Sequence, residues 1–159
     1  MFDFSGKVAI VTGASRGIGR GIAEVLGARG AMVIAGARGE NAAGTVEAIQ
    51  HAGGKAEAVA IDVTDGASIE AMVDGVLARH GRVDVLVNNA GITRDQLMLR
   101  LKRQDWDDVI ATNLTSAFTC AQAVLKPMLK QRAGRIVSIS SVVGQMGNAG
   151  QANYAASKA

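Results

Sequence analysis

The chain has 159 residues, a formal net charge of +3, 48% hydrophobic and 19% charged residues, which is one domain's worth of ordinary globular sequence and argues against disorder. No apolar run is long enough to span a membrane, and the start, MFDFSGK, has no basic segment leading into an apolar stretch, so neither a membrane span nor a secretory signal is expected. One cysteine, Cys120, excludes an intrachain disulfide scaffold, and two distant histidines, His51 and His80, make a metal centre unexpected.

Lys7–Thr12 (KVAIVT) is a contiguous apolar run ending in a glycine turn, the mark of a strand buried on both faces. Ile18, Ile22, Val25 and Leu26 then recur at helical spacing, with Gly30 as the stop. Ala31–Ala35 reads as a second buried strand, and 40–51 as a helix with Val46 and Ile49 facing inward. The third strand lies within Lys55–Val63, and Thr64-Asp65 follows as turn and N-cap. Ile69, Met72, Val73, Val76 and Leu77 form the inward stripe of the next helix, before strand four at Val83–Val87. From Asp105 to Lys130 the apolar spacing predicts one long helix bent near Pro127, or two closely joined. Trp106 is expected to anchor it, and Cys120 and Met128 to pack along it. Arg135–Ile139 is strand five. His51 and His80 fall near helix ends and read as surface residues. Strands alternating with helices predict an α/β, three-layer, doubly wound parallel sheet of Rossmann type, in one dinucleotide-binding domain over 1–159.

Glycine occurs 20 times and proline once, a balance that suits turns lying close to a ligand. Gly13, Gly17 and Gly19 sit where the first strand turns into the first helix, in the spacing G-x-x-x-G-x-G. Glycines there allow a tight turn and let phosphates reach the N–H groups of the helix start. At the end of strand two, an acid would accept from the ribose hydroxyls of NAD. This chain has Ala35-Gly36-Ala37-Arg38 instead, with Arg16 inside the glycine loop. Two arginines and no acid match a 2′-phosphate, so NADP(H) is the expected cofactor; the alternative is that both are solvated surface charges. Glu40 lies just past the expected position. Asp62 either accepts from the adenine amino group or caps the turn before the next helix. Asn88-Asn89-Ala90-Gly91 follows strand four, and its small residues leave room for a flat ring or a ribose. Lys and Arg are spread without blocks or aromatic interleaving, so no nucleic-acid role is expected; mild basicity suits a phosphorylated cofactor or an acidic carrier.

Ser140-Ser141 follow strand five on the same carboxyl edge. Tyr154, the chain's one tyrosine, precedes Lys158 by four residues; if residues from 153 onward are helical, both share one face. A phenol is a poor acid–base group at neutral pH, and a neighbouring ammonium favours its ionised form, so the pair suits proton exchange with an oxygen. Asn113 lies inside the long helix within ATNLTS, where an asparagine costs propensity unless its side chain holds a carbonyl or a water, or caps an irregularity.

The glycine loop Thr12–Gly19, the Asn88–Gly91 segment, Asn113, Ser141, Tyr154 and Lys158 together resemble, in order and spacing, the short-chain dehydrogenase/reductase family. The stretches NNAGITRD, TNLTS and SVVGQMGNAGQANYAASK are most similar to those of bacterial 3-oxoacyl-(acyl-carrier-protein) reductases of fatty acid synthesis; acetoacetyl-CoA reductases share parts of them. The resemblance implies NADPH held across Gly13, Ser15, Arg16, Gly17, Ile18, Gly19, Arg38, Asp62, Val63, Asn89, Ala90, Gly91, Tyr154 and Lys158. It implies a 3-oxoacyl thioester substrate, with Tyr154 donating the proton, Ser141 fixing the carbonyl oxygen, and Lys158 holding the nicotinamide ribose and favouring the phenolate. Asn113 would hold a relay water. A cytoplasmic homotetramer built partly on the long helix, without membrane or nucleic-acid partners, goes with it. Members of the family continue past the lysine, so the chain is expected to match their N-terminal two thirds. A short terminal helix, an exposed fifth strand and a missing lid follow, and with them a truncated, inactive nucleotide-binding fragment or a non-enzymatic assembly piece as further readings.

Overall fold

A computed structural model describes residues 2–159. Alternate residues of β1 (Val8–Thr12) face opposite layers: Ile10 joins one core with Ile34, Ile69, Met72, Val76 and Leu86, while Ala9 and Val11 join another with Ala23, Val33, Ala35, Ile49 and Val87. The five strands are β1, β2 (Met32–Ala37), β3 (Lys55–Ala60), β4 (Val85–Asn88) and β5 (Arg135–Ser138). They form one parallel sheet in the order β3-β2-β1-β4-β5. Successive strands run outward from β1 in one direction and then in the other. The reversal between β1 and β4 creates a crevice at their carboxyl ends, which is where open sheets of this kind bind ligands. The expected doubly wound architecture is present.

Helices α1 (Gly17–Ala28) and α2 (Ala43–His51) cover the small-residue face; α3 (Gly66–His80) and α5 (Ser116–Gln131) cover the large-residue face. The difference in residue size sets the approach of α1. Its buried face is Gly19, Ala23 and Gly27, with Ile22 and Leu26 on its flanks. The expected inward positions Ile18 and Val25 are instead 66% and 61% exposed. The helix is also close against α2: a Cβ on Gly27 would lie 2.6 Å from Ile49 Cγ2. On the opposite face the predicted stripe of α3 is buried as expected, and Asp65 caps the helix by accepting from the Ala67 N–H at 3.0 Å. Cys120 and Met128 do pack into that core, and burial pushes the Cys120 thiol up to about 11.

The long predicted helix is one continuous rod with a change of winding. It begins as α4 (Arg103–Ile110), widens into a π turn over Ala111–Thr115, and continues as α5. The irregularity sits at Asn113; Pro127 lies inside an uninterrupted α5. The sequence reading also passed over a 3-10 turn at Met98–Arg100 and the short α6 (Val142–Met146), which precedes α7 (Ala152–Lys158). His80 is not a surface residue, as expected for both histidines: its ring is 16% exposed and lies 3.1 Å from Glu57 Oε1 on β3. β5 forms one sheet edge with all four residues exposed. Among the described residues no helix is long and apolar enough to cross a membrane, and no group of three metal-ligating side chains converges.

The opposite, amino-terminal edge of the sheet is tied by Asp84. Its carboxylate accepts from the Val8 N–H at 3.0 Å and from Arg82 Nε and Nη2 at 2.7 Å each, with Lys7 Nζ at 3.5 Å. Burial acts to raise the Asp84 carboxyl, but the Arg82 and Val8 hydrogen bonds and the charges of Arg82 and Lys7 outweigh it and hold it below the ordinary value. A depressed carboxyl contributes stability that is present above its unfolded pKa and lost as pH falls through the folded one. Asp84→Asn is therefore expected to cost about 2 kcal/mol at neutral pH, with the gap to wild type closing as the solution is acidified, measured by urea denaturation.

Candidate functional site

The crevice is a cleft of about 880 Å³ over the carboxyl ends of β1, β2 and β4. Its walls include most residues of the sequence-predicted cofactor set: Gly13, Ser15, Arg16, Ile18, Gly19, Arg38, Asp62, Val63, Asn89, Ala90 and Gly91. Gly17, Ser141, Tyr154 and Lys158 are not among its lining residues, while Ile92, Arg94 and Thr112 are.

Thr12 organises the two turns that frame it. Its Oγ1 donates to the Val87 carbonyl at 3.3 Å and accepts from the Asn89 and Ala90 N–H groups at 3.1 Å each. Asn89 answers through Nδ2, which donates to the Thr12 and Gly13 carbonyls at 3.0 and 3.1 Å. The turns therefore pack backbone against amide, and this fixes the glycines. A Cβ on Gly13 would lie 2.8 Å from Ala90 Cα, and one on Gly19 would overlap the Gly13 carbonyl and Asn89 Nδ2. Gly17 faces open space but has φ +57°, a conformation that side chains resist. From behind, the buried Thr45 on α2 donates to the Ala14 carbonyl at 2.7 Å. Neither threonine stood out in the sequence, since a hydroxyl serving a distant carbonyl leaves no local pattern.

At one end Arg16 and Arg38 line the cleft, and the described carboxylate beside them is Asp62 rather than Glu40. Asp62 Oδ1 accepts from the Thr64 N–H at 2.9 Å and from Thr64 Oγ1 at 2.7 Å. Of the two readings of Asp62, the turn-capping one is realised, on a residue that still lines the cleft. Those two hydrogen bonds, and the Arg38 charge after them, hold its carboxyl below the usual range.

The other end of the cleft meets α7. Asn113, buried in the π turn, treats Ile92 as a strand partner would: Oδ1 accepts from the Ile92 N–H at 2.8 Å and Nδ2 donates to the Ile92 carbonyl at 3.0 Å. The second hydrogen of that amide goes to Ser157 Oγ on α7 at 3.0 Å. Both amide hydrogens are thus committed to protein, while Oδ1 keeps a second lone pair that can accept from a water. Lys158 is 9% exposed; its Nζ donates to the Ile139 carbonyl at 2.8 Å and lies 3.7 Å from where a Cβ on Gly91 would stand. Burial pushes its ammonium down from the ordinary lysine value. Tyr154 lies one turn earlier on α7, half-buried, and none of the described residues accepts from its hydroxyl. Ser141 Oγ caps α6 by accepting from the Val143 N–H at 3.2 Å, which leaves its own O–H free to donate. Ser140 instead donates to the Lys158 carbonyl at 2.6 Å.

Two consequences are testable. Gly17→Ala should cost about 1–2 kcal/mol through backbone strain, and Gly19→Ala more, because the Asn89 contact must open; urea denaturation orders them. A lysine whose folded pKa is depressed carries a cost that is present below that pKa and relieved as pH rises through it. The stability of Lys158→Met relative to wild type is therefore expected to shift in favour of wild type as pH rises through the folded lysine pKa, read by thermal unfolding across neutral to alkaline pH.

Comparison with known proteins agrees with this geometry. The chain is 57% identical over 157 residues to the 3-oxoacyl-(acyl-carrier-protein) reductase FabG of Salmonella typhimurium and 53% identical over 157 residues to that of Vibrio cholerae, covering 99% of this chain and 64% of each relative. The chain thus spans a little under two thirds of the length of these curated relatives. A crystal structure of a metagenomic short-chain oxidoreductase in complex with NADP superposes with a TM-score of 0.93 at 44% identity, over 98% of this chain and 71% of that one. The family model described as short chain dehydrogenase matches residues 7–159, and the chain belongs to that family.

Proposed function

We propose that the chain carries the cofactor cleft and proton-transfer residues of an NADPH-dependent reductase acting on 3-oxoacyl thioesters, with acyl carrier protein as the carrier. The observation that carries the reading is the convergence of Lys158 Nζ and the Asn113 amide on Gly91 at the cleft wall, with Tyr154 one turn from the lysine. The identity to FabG proteins of several bacteria supports the substrate class.

The residues present fit NADPH. The glycine loop offers N–H groups at the start of α1, and Arg16 and Arg38 supply positive charge where a 2′-phosphate would lie, with no carboxylate at the end of β2. Gly13, Ser15, Gly17, Ile18 and Gly19 would hold the phosphates; Asp62 and Val63 the adenine; Asn89, Ala90 and Gly91 the nicotinamide ribose. When bound, NADPH supplies the hydride that reaches the C3 carbonyl carbon. Ser141 donates its free O–H to the carbonyl oxygen and holds it. Tyr154 gives that oxygen the proton that completes the alcohol. Lys158 favours the phenolate left behind and binds the ribose hydroxyls. Asn113 fixes Ile92 and α7, and a water on the second lone pair of its Oδ1 would return the proton to Tyr154. A cytoplasmic homotetramer accompanies this reading; the exposed apolar side chains Leu114, Phe118, Leu125 and Leu129 along α5 and its leading turn support the assembly.

Enhanced NADPH fluorescence is the test of binding, and oxidation of NADPH driven by acetoacetyl thioesters the test of turnover. Tyr154→Phe should retain binding and lose at least about 100-fold in turnover. Arg38→Ala should weaken NADPH about tenfold or more and leave NADH unchanged. Preference for the acyl-carrier over the coenzyme A thioester identifies the carrier; the reverse preference makes the chain an acetoacetyl-CoA reductase. Binding without turnover in the wild-type chain reduces it to a nucleotide-binding module.

A further inference from the structure

The strongest feature the reaction leaves unused is Asn153. It is fully buried, at 0% exposure, and sits immediately before Tyr154 on α7. Its Nδ2 donates to two main-chain carbonyls, Arg94 at 3.0 Å and Asp105 at 3.2 Å, while its Oδ1 accepts from the Tyr154 N–H at 2.8 Å. The two donated bonds link elements that the local sequence does not connect, joining the helix bearing the phenol to the loop after β4 and to the start of α4. Two flanking contacts follow the same seam. The Gln96 N–H donates to the Gly150 carbonyl at 2.8 Å, and Gln151 Nε2 donates to both oxygens of Asp95 at 3.1 Å.

We propose that Asn153 is a positioning residue that ties the Tyr154 helix to the loop walling the nicotinamide end of the cleft, so that phenol and cofactor wall keep one geometry. The proposal rests on the reductase reading above for its kinetic readout, and on the structure alone for its mechanical one. Leaving a buried amide at a helix start with only a capping role would satisfy the Tyr154 N–H and nothing more; here both donated bonds go to segments more than forty residues distant. One of those segments holds Ile92 and Arg94, which line the cleft. Asn113 grips the same loop from the other side at Ile92 and reaches α7 at Ser157. The loop is thus held between two buried amides, one in the π turn and one beside the phenol. Losing the second leaves the loop attached but free to shift relative to Tyr154, and a displacement of about an ångström between a catalytic group and its target is enough to cost about 100-fold in rate.

Asn153→Asp is the informative variant. It keeps the size and the acceptor for the Tyr154 N–H but cannot donate to either carbonyl. NADPH affinity, the KM for an acetoacetyl thioester and kcat are measured for the wild-type chain, Asn153→Asp, Asn153→Ala and Gln151→Ala. Both Asn153 variants should lose about tenfold or more in kcat, with NADPH affinity and KM within about threefold of wild type; Gln151→Ala, whose bond lies at the exposed rim, should stay within about threefold throughout. Wild-type kcat in Asn153→Asp overturns the proposal, because the cap alone then suffices. A loss of kcat matched by an equal loss of NADPH-binding sites also overturns it, since the variant then only unfolds. If the wild-type chain binds NADPH without turning over, the reductase reading has failed and the proposal is judged by hydrogen exchange with NADPH bound. Amides of 92–96 should then exchange about tenfold faster in Asn153→Asp while those of 13–19 are unchanged; equal exchange overturns it. Should neither Asn153 variant fold, the wild-type chain decides: amides of 92–96 and 152–158 must open together at one rate, and separate rates overturn the proposal.

Discussion

The site depends on two parallel strands ending side by side and turning away in different directions. β1 leaves through the glycine loop and β4 through the Asn-Asn turn, and the space between those turns is the cleft. Parallel ladders do not by themselves fix what happens past the last pair. Here one hydroxyl does so: Thr12 Oγ1 holds the Val87 carbonyl and takes two N–H groups from the opposing turn, and Asn89 returns two bonds to Thr12 and Gly13. Five hydrogen bonds at the cleft wall tie the two turns together. The glycines follow from that tie, since neither Gly13 nor Gly19 has room for a Cβ against the other turn. Phosphate approach and internal packing thus make the same demand on the same residues, and only Gly17 is fixed by backbone angle alone.

The second constraint comes from the π turn. Widening the helix at Ala111–Thr115 rotates Asn113 toward the loop after β4, where its amide closes a two-bond ring with Ile92 and passes its remaining hydrogen to Ser157. A regular helix over the same residues would present a different face. The energetic cost of the irregular winding is offset by an amide whose donors are fully satisfied at 5% exposure.

Much of this was legible in the chain before any coordinates. The alternation of strand and helix, the carboxyl-edge location of the glycine loop and the Asn88–Gly91 segment, and the presence of a helix beneath Tyr154 and Lys158 all follow from local pattern, and local pattern is set by periodicity and turn chemistry. What escaped was of one kind. Ile18 and Val25 satisfied the helical period and still face solvent, because α1 turns Gly19, Ala23 and Gly27 inward, where Gly19 meets the Asn89 turn and Gly27 meets Ile49 of α2. Thr12, Thr45 and Asn153 act through backbone carbonyls contributed by distant segments. His80 was assigned to the surface by its place at a helix end, yet the helix end lies over β3 and Glu57. Each miss is a tertiary contact, with a distant main-chain group, a side-chain size or, for His80, a carboxylate on a neighbouring strand, and none of these shows in the spacing of residue types.

The polar character of α7 closes the argument. Over Ala152–Lys158 the face that α7 buries is polar rather than apolar. Its buried residues are Asn153, Ser157 and Lys158. It is therefore held by directed bonds: Asn153 to Arg94 and Asp105, Ser157 to Asn113, Lys158 to Ile139. Apolar packing tolerates sliding of a few tenths of an ångström, whereas a network of short hydrogen bonds to fixed carbonyls permits one position. The same choice buries an ammonium at a cost to stability. Carrying the proposed proton-transfer residues, the helix would gain from that exchange, because the geometry of proton transfer is more demanding than the geometry of folding.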